Sequence, residues 1–264
     1  PQGIAPTDNA HQQNLDRDDD RERRRIENAD IVGVEASRET GIYRARRKRK
    51  EQGDAPGALA HYHRALALEP GRAGVRSNML LALNGIAEVD AETLFAEHRR
   101  WDAIHGRAMP APPPGPARRD GRIRIGYGSS DFRRHSVAYF IEPILEAHDR
   151  TRFFVVCYSG VRAEDDVTRR LRADADLWRP IAGLGDTEVI ERVRADGVDI
   201  LVDLAGHTMG NRLGVFAGRA APVQITYLGY PNTTGLAAMD WRITDSIADA
   251  RGADAFYTER LVRL

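Results

Sequence analysis

From residue 121 onward, short apolar runs alternate with amphipathic stretches. Residues 122–127, 153–158, 177–181, 199–204, 222–228 and 241–244 are rich in Ile, Val, Leu, Tyr and Phe and are bounded by Gly, Asp or Pro. That is the pattern of short strands buried on both faces. Between them, 137–148 and 165–174 read as helices, and Val189, Ile190 and Val193 share one helical face behind Asp186, which is placed to cap it. The alternation predicts a parallel sheet covered by helices on both faces, a Rossmann-like α/β lobe over 121–264.

The chain ahead of this lobe has a different period. Ala58, Tyr62 and Ala65 lie at i, i+4 and i+7, and Pro70 stops the helix they define. Two small residues and one aromatic on a face let a neighbouring helix approach closely, as in the second helix of a tetratricopeptide repeat. The first helix of such a repeat falls at about 40–52, where Ile42 and Ala45 fit but Arg46 and Arg49 stand where glycine and an aromatic are usual. A single repeat cannot bury its own faces. Helices over 74–84 (Val75, Met79, Leu80, Leu83) and about 90–104 (Asp90 as cap, then Leu94, Phe95, Trp101, Ile104) are therefore expected to pack on it. The prolines between Pro110 and Pro116 end both helix and sheet, so 110–120 reads as a linker between a helical segment, 41–109, and the lobe. Residues 1–40 are polar, with Asp16, Asp18, Asp19 and Asp20 running into Arg21, Arg23, Arg24 and Arg25, and without a sustained apolar period they read as a poorly ordered tail or a poorly packed helix.

Charge and composition narrow the partners. The 264 residues carry 39 basic and 39 acidic side chains, so nucleic acid is not the expected partner, and the basic run Arg44–Lys50 reads as a solvated helix face. Cys157 is the single cysteine, which excludes an intramolecular disulfide and suits a reducing, cytoplasmic setting. No apolar run approaches the roughly 20 residues of a membrane helix, and the N-terminal residues lack a signal peptide's apolar centre.

In a parallel sheet, ligands bind beyond the carboxyl ends of the strands. Three segments end strands here: Gly128–Ser136, Gly206–Arg212 and Gly229–Gly235. Together they bring Asp131, His135, His207 and Thr208 to one crevice. His135 and Ser136 precede an apolar helix, whose free amides and dipole suit a phosphate. A histidine beside a carboxylate can take or give a proton near neutral pH. Each residue also has a purely structural reading: Ser136 as a helix cap, Asp131 as a turn cap, the glycines as tight-loop residues. No Gly-x-Gly-x-x-Gly follows a strand, no Gly-x-Ser-x-Gly elbow occurs, and no His/Cys/Asp spacing resembles a metal site.

Arg122-Ile-Arg-Ile-Gly-Tyr-Gly-Ser-Ser-Asp-Phe-Arg-Arg-His135 resembles the opening strand and loop of the protein O-linked N-acetylglucosamine transferases. Residues 201–208, 221–235 and 240–245 are similar to three further segments of that family, in the same order. The resemblance covers about 53–264. It implies a two-lobe fold of the GT-B type, of which 121–264 is the N-terminal lobe. It also implies inverting, metal-independent transfer of N-acetylglucosamine from UDP-N-acetylglucosamine to Ser or Thr hydroxyls of a protein acceptor, with no cofactor beyond that donor. Carried onto this chain, His135 matches the active-site histidine near acceptor and donor phosphate. Asp131 matches the nearby acid, a candidate for proton removal. Leu228, Gly229 and Pro231, with Tyr230 between them, match the sugar pocket, and Ser136, Val137, His207 and Thr208 complete the substrate-facing set. Val137 stands where the family commonly has Thr. Arg76 stands where it has a second histidine, and arginine cannot act as a base. The family's second lobe, which holds most of the UDP, falls beyond Leu264, so this chain alone is expected to be inactive. A non-catalytic protein-binding module is the alternative, and a transferase of the same family using fucose or glucose is another.

Overall fold

The strands form where β-branched and aromatic residues run without interruption. In the computed structural model they are β1 (Ile123–Ser129), β2 (Phe153–Ser159), β3 (Leu177–Pro180), β4 (Ile200–Asp203), β5 (Val223–Thr226), β6 (Trp241–Thr244) and β7 (Arg260–Arg263). The structure describes residues 55–264 apart from 107–109, 111 and 114–119. The polar tail, the basic run, the first repeat helix and most of the proline-rich stretch lie outside the described residues.

The strands make one sheet in the order β3-β2-β1-β4-β5-β6-β7, and every neighbouring pair is parallel. The chain steps outward from β1 to β3, crosses back to β4 on the other side of β1, and steps outward again to β7. The direction of winding therefore reverses between β1 and β4, where the connections leaving the two strands part and open a crevice.

Helices cover both faces. On one side lie α4 (Ser136–Ala147) and α5 (Asp166–Ala173), and on the other α6 (Asp186–Ala195) and α7 (Leu213–Ala217). Successive strand residues divide between these sides, as a two-residue period requires. Val155 and Cys157 join Ile141, Leu145 and Leu171. Val156 and Tyr158 join Val189, Val193 and Phe216.

The helical segment adds α1 (Ala55–Leu68), α2 (Ala73–Leu83) and α3 (Ala91–His105). Most side chains expected to face a neighbour do so: Ala58, Tyr62, Val75, Met79, Leu80, Leu83 and Trp101 are buried and share a single apolar cluster with the α6–α7 face of the sheet, whereas Ile104, near the end of α3, is exposed. Burying each large side chain contributes about 1.5–3 kcal/mol, so these helices are held to the lobe by a continuous core. Asp90 caps α3 as expected, its carboxylate accepting the Thr93 N–H at 2.6 Å.

Three features differ from the sequence expectation. The cap of α6 is Gly185, and Asp186 is the first helical residue, paired instead with Arg212 at 3.2 Å. The short helix α7, Leu-Gly-Val-Phe-Ala, is almost wholly buried, so its sequence carries no amphipathic period. β7 is a charged edge strand, Arg-Leu-Val-Arg, whose definition comes from its pairing with β6. Among the described residues no helix is long and apolar enough to cross a membrane.

Candidate active site

The loops after β1, β4 and β5 leave three adjacent parallel strands and emerge on one edge of the sheet. The first begins at Ser129, whose hydroxyl accepts the Asp131 N–H at 2.9 Å. This turn holds Asp131 almost buried, 6% exposed, with one carboxylate oxygen 3.3 Å from the Arg133 guanidinium. His135 follows as the N-cap of α4, and its Nδ1 accepts the Val137 N–H at 3.3 Å. Because Nδ1 is an acceptor in that bond, the neutral ring carries its proton on Nε2. In that form Nε2 is a hydrogen-bond donor. Nδ1 lies 3.8 Å from the Asp131 carboxylate, beyond hydrogen-bond reach. Asp131 and His135 are therefore neighbours in the loop with no hydrogen bond between them. The loop is anchored at Arg134, whose N–H donates to Asp165 at 2.7 Å. That bond and the one from Thr168 hold the Asp165 carboxyl at about 2.

Ser136 is the first residue of α4 and is exposed at its N-terminus beside His135. Val137 does not face the crevice. Its side chain is buried with Ile141 and Leu145 under the sheet, because helical rotation from His135 turns it inward.

The second loop is built around Asp203 at the end of β4. Its fully buried carboxylate accepts the N–H groups of Ala205 (3.0 Å) and Gly206 (2.8 Å) and the Thr226 hydroxyl (3.0 Å), and burial pushes its pKa up. Gly206 turns at φ +52°, and a Cβ there would lie 2.2 Å from Tyr230 Cβ, so only glycine fits. Thr208 is half-buried and spends its hydroxyl on the Ala205 carbonyl at 2.7 Å. The Ser130 hydroxyl donates to the Met209 carbonyl at 3.3 Å and ties this loop to the first.

His207 sits apart from the crevice. Its Nδ1 accepts from the Ser77 hydroxyl at 3.0 Å and its Nε2 donates to the Thr234 carbonyl at 2.8 Å, so both nitrogens are used and the ring is fully buried. Burial, followed by the nearby His98, lowers its pKa to about 3. The sequence places His207 at the strand end correctly, but the turn at Gly206 directs it back toward α2 and α3.

The third loop opens at Leu228, one of two described non-glycine residues with positive φ (+67°). Such backbone is strained and persists only where its surroundings over-determine it. Gly229 follows with no room for a side chain: a Cβ would lie 2.0 Å from the Leu204 carbonyl oxygen. Tyr230 turns inward and Pro231 outward. The Tyr230 hydroxyl donates to His98 Nε2 at 2.8 Å, and His98 Nδ1 donates to the Leu94 carbonyl at 2.6 Å. His98, with pKa lowered to about 4 by burial, packs with His207, Tyr230 and Trp101 as a cluster of rings with centroids 5.2–5.7 Å apart where they touch.

Buried charges brace the far side of this loop. Glu259 accepts from the Thr233 hydroxyl (2.6 Å), the Thr234 N–H (2.7 Å) and the Thr234 hydroxyl. Arg242 donates to the carbonyls of Tyr230 (3.0 Å) and Asn232 (3.1 Å) and pairs with Asp249 at 2.9 Å. None of His98, Asp203, Arg242 or Glu259 was singled out by sequence reasoning as part of this arrangement, nor was Asn84, whose side-chain amide donates to the Tyr230 hydroxyl at 2.7 Å. Each lies outside the strand-end loops or inside a strand, and only its fold partners give it a role.

Asp131, His135 and Ser136 thus lie on the loop after β1 and Leu228, Gly229 and Pro231 on the loop after β5, while Val137, His207 and the Tyr230 hydroxyl are used in packing. Arg76 is buried, 5% exposed, with Glu97 3.8 Å away, and burial and then the charge of Arg100 lower its pKa. Among the described residues no three His, Cys, Asp or Glu side chains converge as metal ligands.

The family model described as Glycosyl transferase family 41 matches residues 101–264. The chain is similar to the Oryza sativa subsp. japonica protein named probable UDP-N-acetylglucosamine–peptide N-acetylglucosaminyltransferase SPINDLY, 43% identical over 209 residues, which is 77% of this chain and 22% of that protein. It is also similar to the Caenorhabditis elegans UDP-N-acetylglucosamine–peptide N-acetylglucosaminyltransferase, 37% identical over 53% of this chain and 12% of that protein. A solved structure of a lysine-to-methionine mutant of the Thermobaculum terrenum O-GlcNAc transferase superposes with a TM-score of 0.75 at 42% identity, over 80% of this chain and 41% of that one. The chain spans 22% of the length of the SPINDLY relatives it matches.

Proposed function

The chain belongs to glycosyl transferase family 41, and from that membership we propose that it forms the acceptor-side lobe of an enzyme transferring N-acetylglucosamine from UDP-N-acetylglucosamine to Ser or Thr hydroxyls of proteins. The observation that carries this reading is the placement of Asp131 and His135 side by side, unbonded to each other, at the N-terminus of α4, where the winding of the sheet reverses.

Inverting transfer makes two demands. The acceptor hydroxyl must lose a proton as its oxygen attacks the anomeric carbon, and the departing diphosphate must be stabilised as the glycosidic C–O bond breaks. Asp131 offers an acceptor for the proton. His135 offers Nε2–H to a developing anionic oxygen, and the N-terminus of α4 adds its dipole. This sharpens the role of His135: the geometry supports a donor to the substrate, with its Nδ1 committed to the helix cap. Leu228, Gly229 and Pro231 form the wall for the sugar, and the close approach of Gly229 to Leu204 sets its depth. In this reading the uridine and most of the diphosphate belong to a second lobe of the same protein, and the acceptor protein approaches over the helical segment. The buried single thiol of Cys157 suits a reducing cytoplasm.

The test is steady-state transfer to a Ser-containing peptide by the full-length protein that contains this chain. His135→Ala and Asp131→Asn are each expected to lower turnover about a hundredfold or more. Near-normal turnover in either would remove that residue from the mechanism. Transfer from GDP-fucose or UDP-glucose in place of UDP-N-acetylglucosamine would overturn the donor assignment.

A further inference from the structure

Asn84 ends α2, and its side chain reaches the third loop at two places. Its Nδ2 donates to the Tyr230 hydroxyl at 2.7 Å and to the Leu80 carbonyl at 2.9 Å. Its Oδ1 accepts from Asn232 Nδ2 at 3.0 Å. The amide therefore fastens to the loop on either side of Pro231 and to its own helix at the same time. The Tyr230 hydroxyl hands the contact on to His98 of α3, and Asn232 Oδ1 turns back to accept the Thr233 N–H at 2.7 Å. On the opposite side Arg242 and Glu259 hold the same loop from within the lobe. The strained Leu228 lies immediately before this clamped stretch. A residue in the left-handed region stays there only while its neighbours are held, and of the two sets of bonds holding them, one comes from outside the lobe.

We infer that Asn84 is a positioning residue: through Tyr230 and Asn232 it sets the loop that walls the crevice, so the helical segment controls how well the lobe receives the sugar. The bonds stand whatever the loop binds; the consequence for the sugar donor rests on the proposed function. Losing both loop bonds in Asn84→Ala is expected to speed hydrogen exchange of the 229–235 amides about tenfold in this chain, with the β1, β2 and β4 amides unchanged. In the full-length enzyme the same variant should raise KM for UDP-N-acetylglucosamine about tenfold and leave kcat within about twofold. Asn84→Asp, which keeps the acceptor for Asn232, should recover part of the protection. Tyr230→Phe removes the hydroxyl that Asn84 contacts, so adding Asn84→Ala to it should have a smaller effect than Asn84→Ala alone.

Loop exchange that is unchanged in Asn84→Ala, or that rises only in step with the whole sheet, would overturn the inference. So would a donor KM that stays at the wild-type value while the loop loosens. If the wild-type enzyme does not use UDP-N-acetylglucosamine but Asn84→Ala still loosens the loop selectively, the proposed function fails and the positioning role stands.

Discussion

Acidification should loosen the joint between the helical segment and the lobe, and its size can be worked from two imidazoles. His98 and His207 are both fully buried, with pKa values lowered to about 4 and about 3. In the unfolded chain each returns to about 6.5. Both therefore bind protons more weakly folded than unfolded. The stability they permit is complete above pH 6.5 and is lost as pH falls toward 4 and 3. At pH 5 the unfolded form gains about 2 kcal/mol per histidine from protonation that the folded form forgoes. The two together amount to about 4 kcal/mol, a large part of the roughly 5–15 kcal/mol that holds a domain folded. With a urea dependence of about 3 kcal/mol per molar, the unfolding midpoint should fall by more than about 1 M between pH 7.5 and pH 5. Tryptophan fluorescence is a suitable readout, because the Trp101 ring packs on His207 with centroids 5.4 Å apart. His207→Gln should be less stable at pH 7.5 but should lose about half of the pH dependence. A wild-type midpoint that moves by less than about 0.3 M, or a His207→Gln variant that keeps the full dependence, would refute the reasoning.

Two further outcomes test the loop architecture. Gly229→Ala places a methyl 2.0 Å from the Leu204 carbonyl oxygen and against the Leu204–Ala205 backbone, which has no flexible end to yield. It should cost about 3 kcal/mol or more in urea unfolding, or displace the loop. Glu259→Ala removes the acceptor of the Thr234 N–H and of the Thr233 and Thr234 hydroxyls in a buried site, leaving the Thr233 hydroxyl only the longer contact to Thr258. It should destabilise by about 2–4 kcal/mol, read as a lower Tm, and a loss under about 0.5 kcal/mol would mean that water replaces the carboxylate.

Much of the lobe was legible from pattern alone. Strands β1 to β6 fall where the apolar runs lie, since a strand buried on both faces needs unbroken apolar sequence. The carboxyl-edge position of Asp131, His135 and the Gly229 loop followed from parallel connectivity. What escaped were elements whose definition depends on a neighbour: β7, which exists by pairing with β6, and α7, which is buried on nearly all sides. The site was legible to the level of which loops and not of which atoms. The sequence set a histidine beside a carboxylate, but only the structure shows that the helix cap turns Nδ1 to the Val137 amide and leaves 3.8 Å to Asp131.

His207 and Val137 mark the division most clearly. Sequence by itself determined that both flank strand ends, because the chemistry of a strand followed by a glycine or a helix start is local. Only the tertiary structure decided which way each side chain turns. Val137 is two residues past the helix cap His135, and rotation about the helix axis carries it into the core. His207 follows a glycine at φ +52°, and that single dihedral points it to Ser77 and Thr234, far along the chain. The hydrophobic period carries information about neighbours a few positions away, whereas the direction of a loop side chain is set by contacts such as the one between residues 77 and 207, which no local pattern encodes.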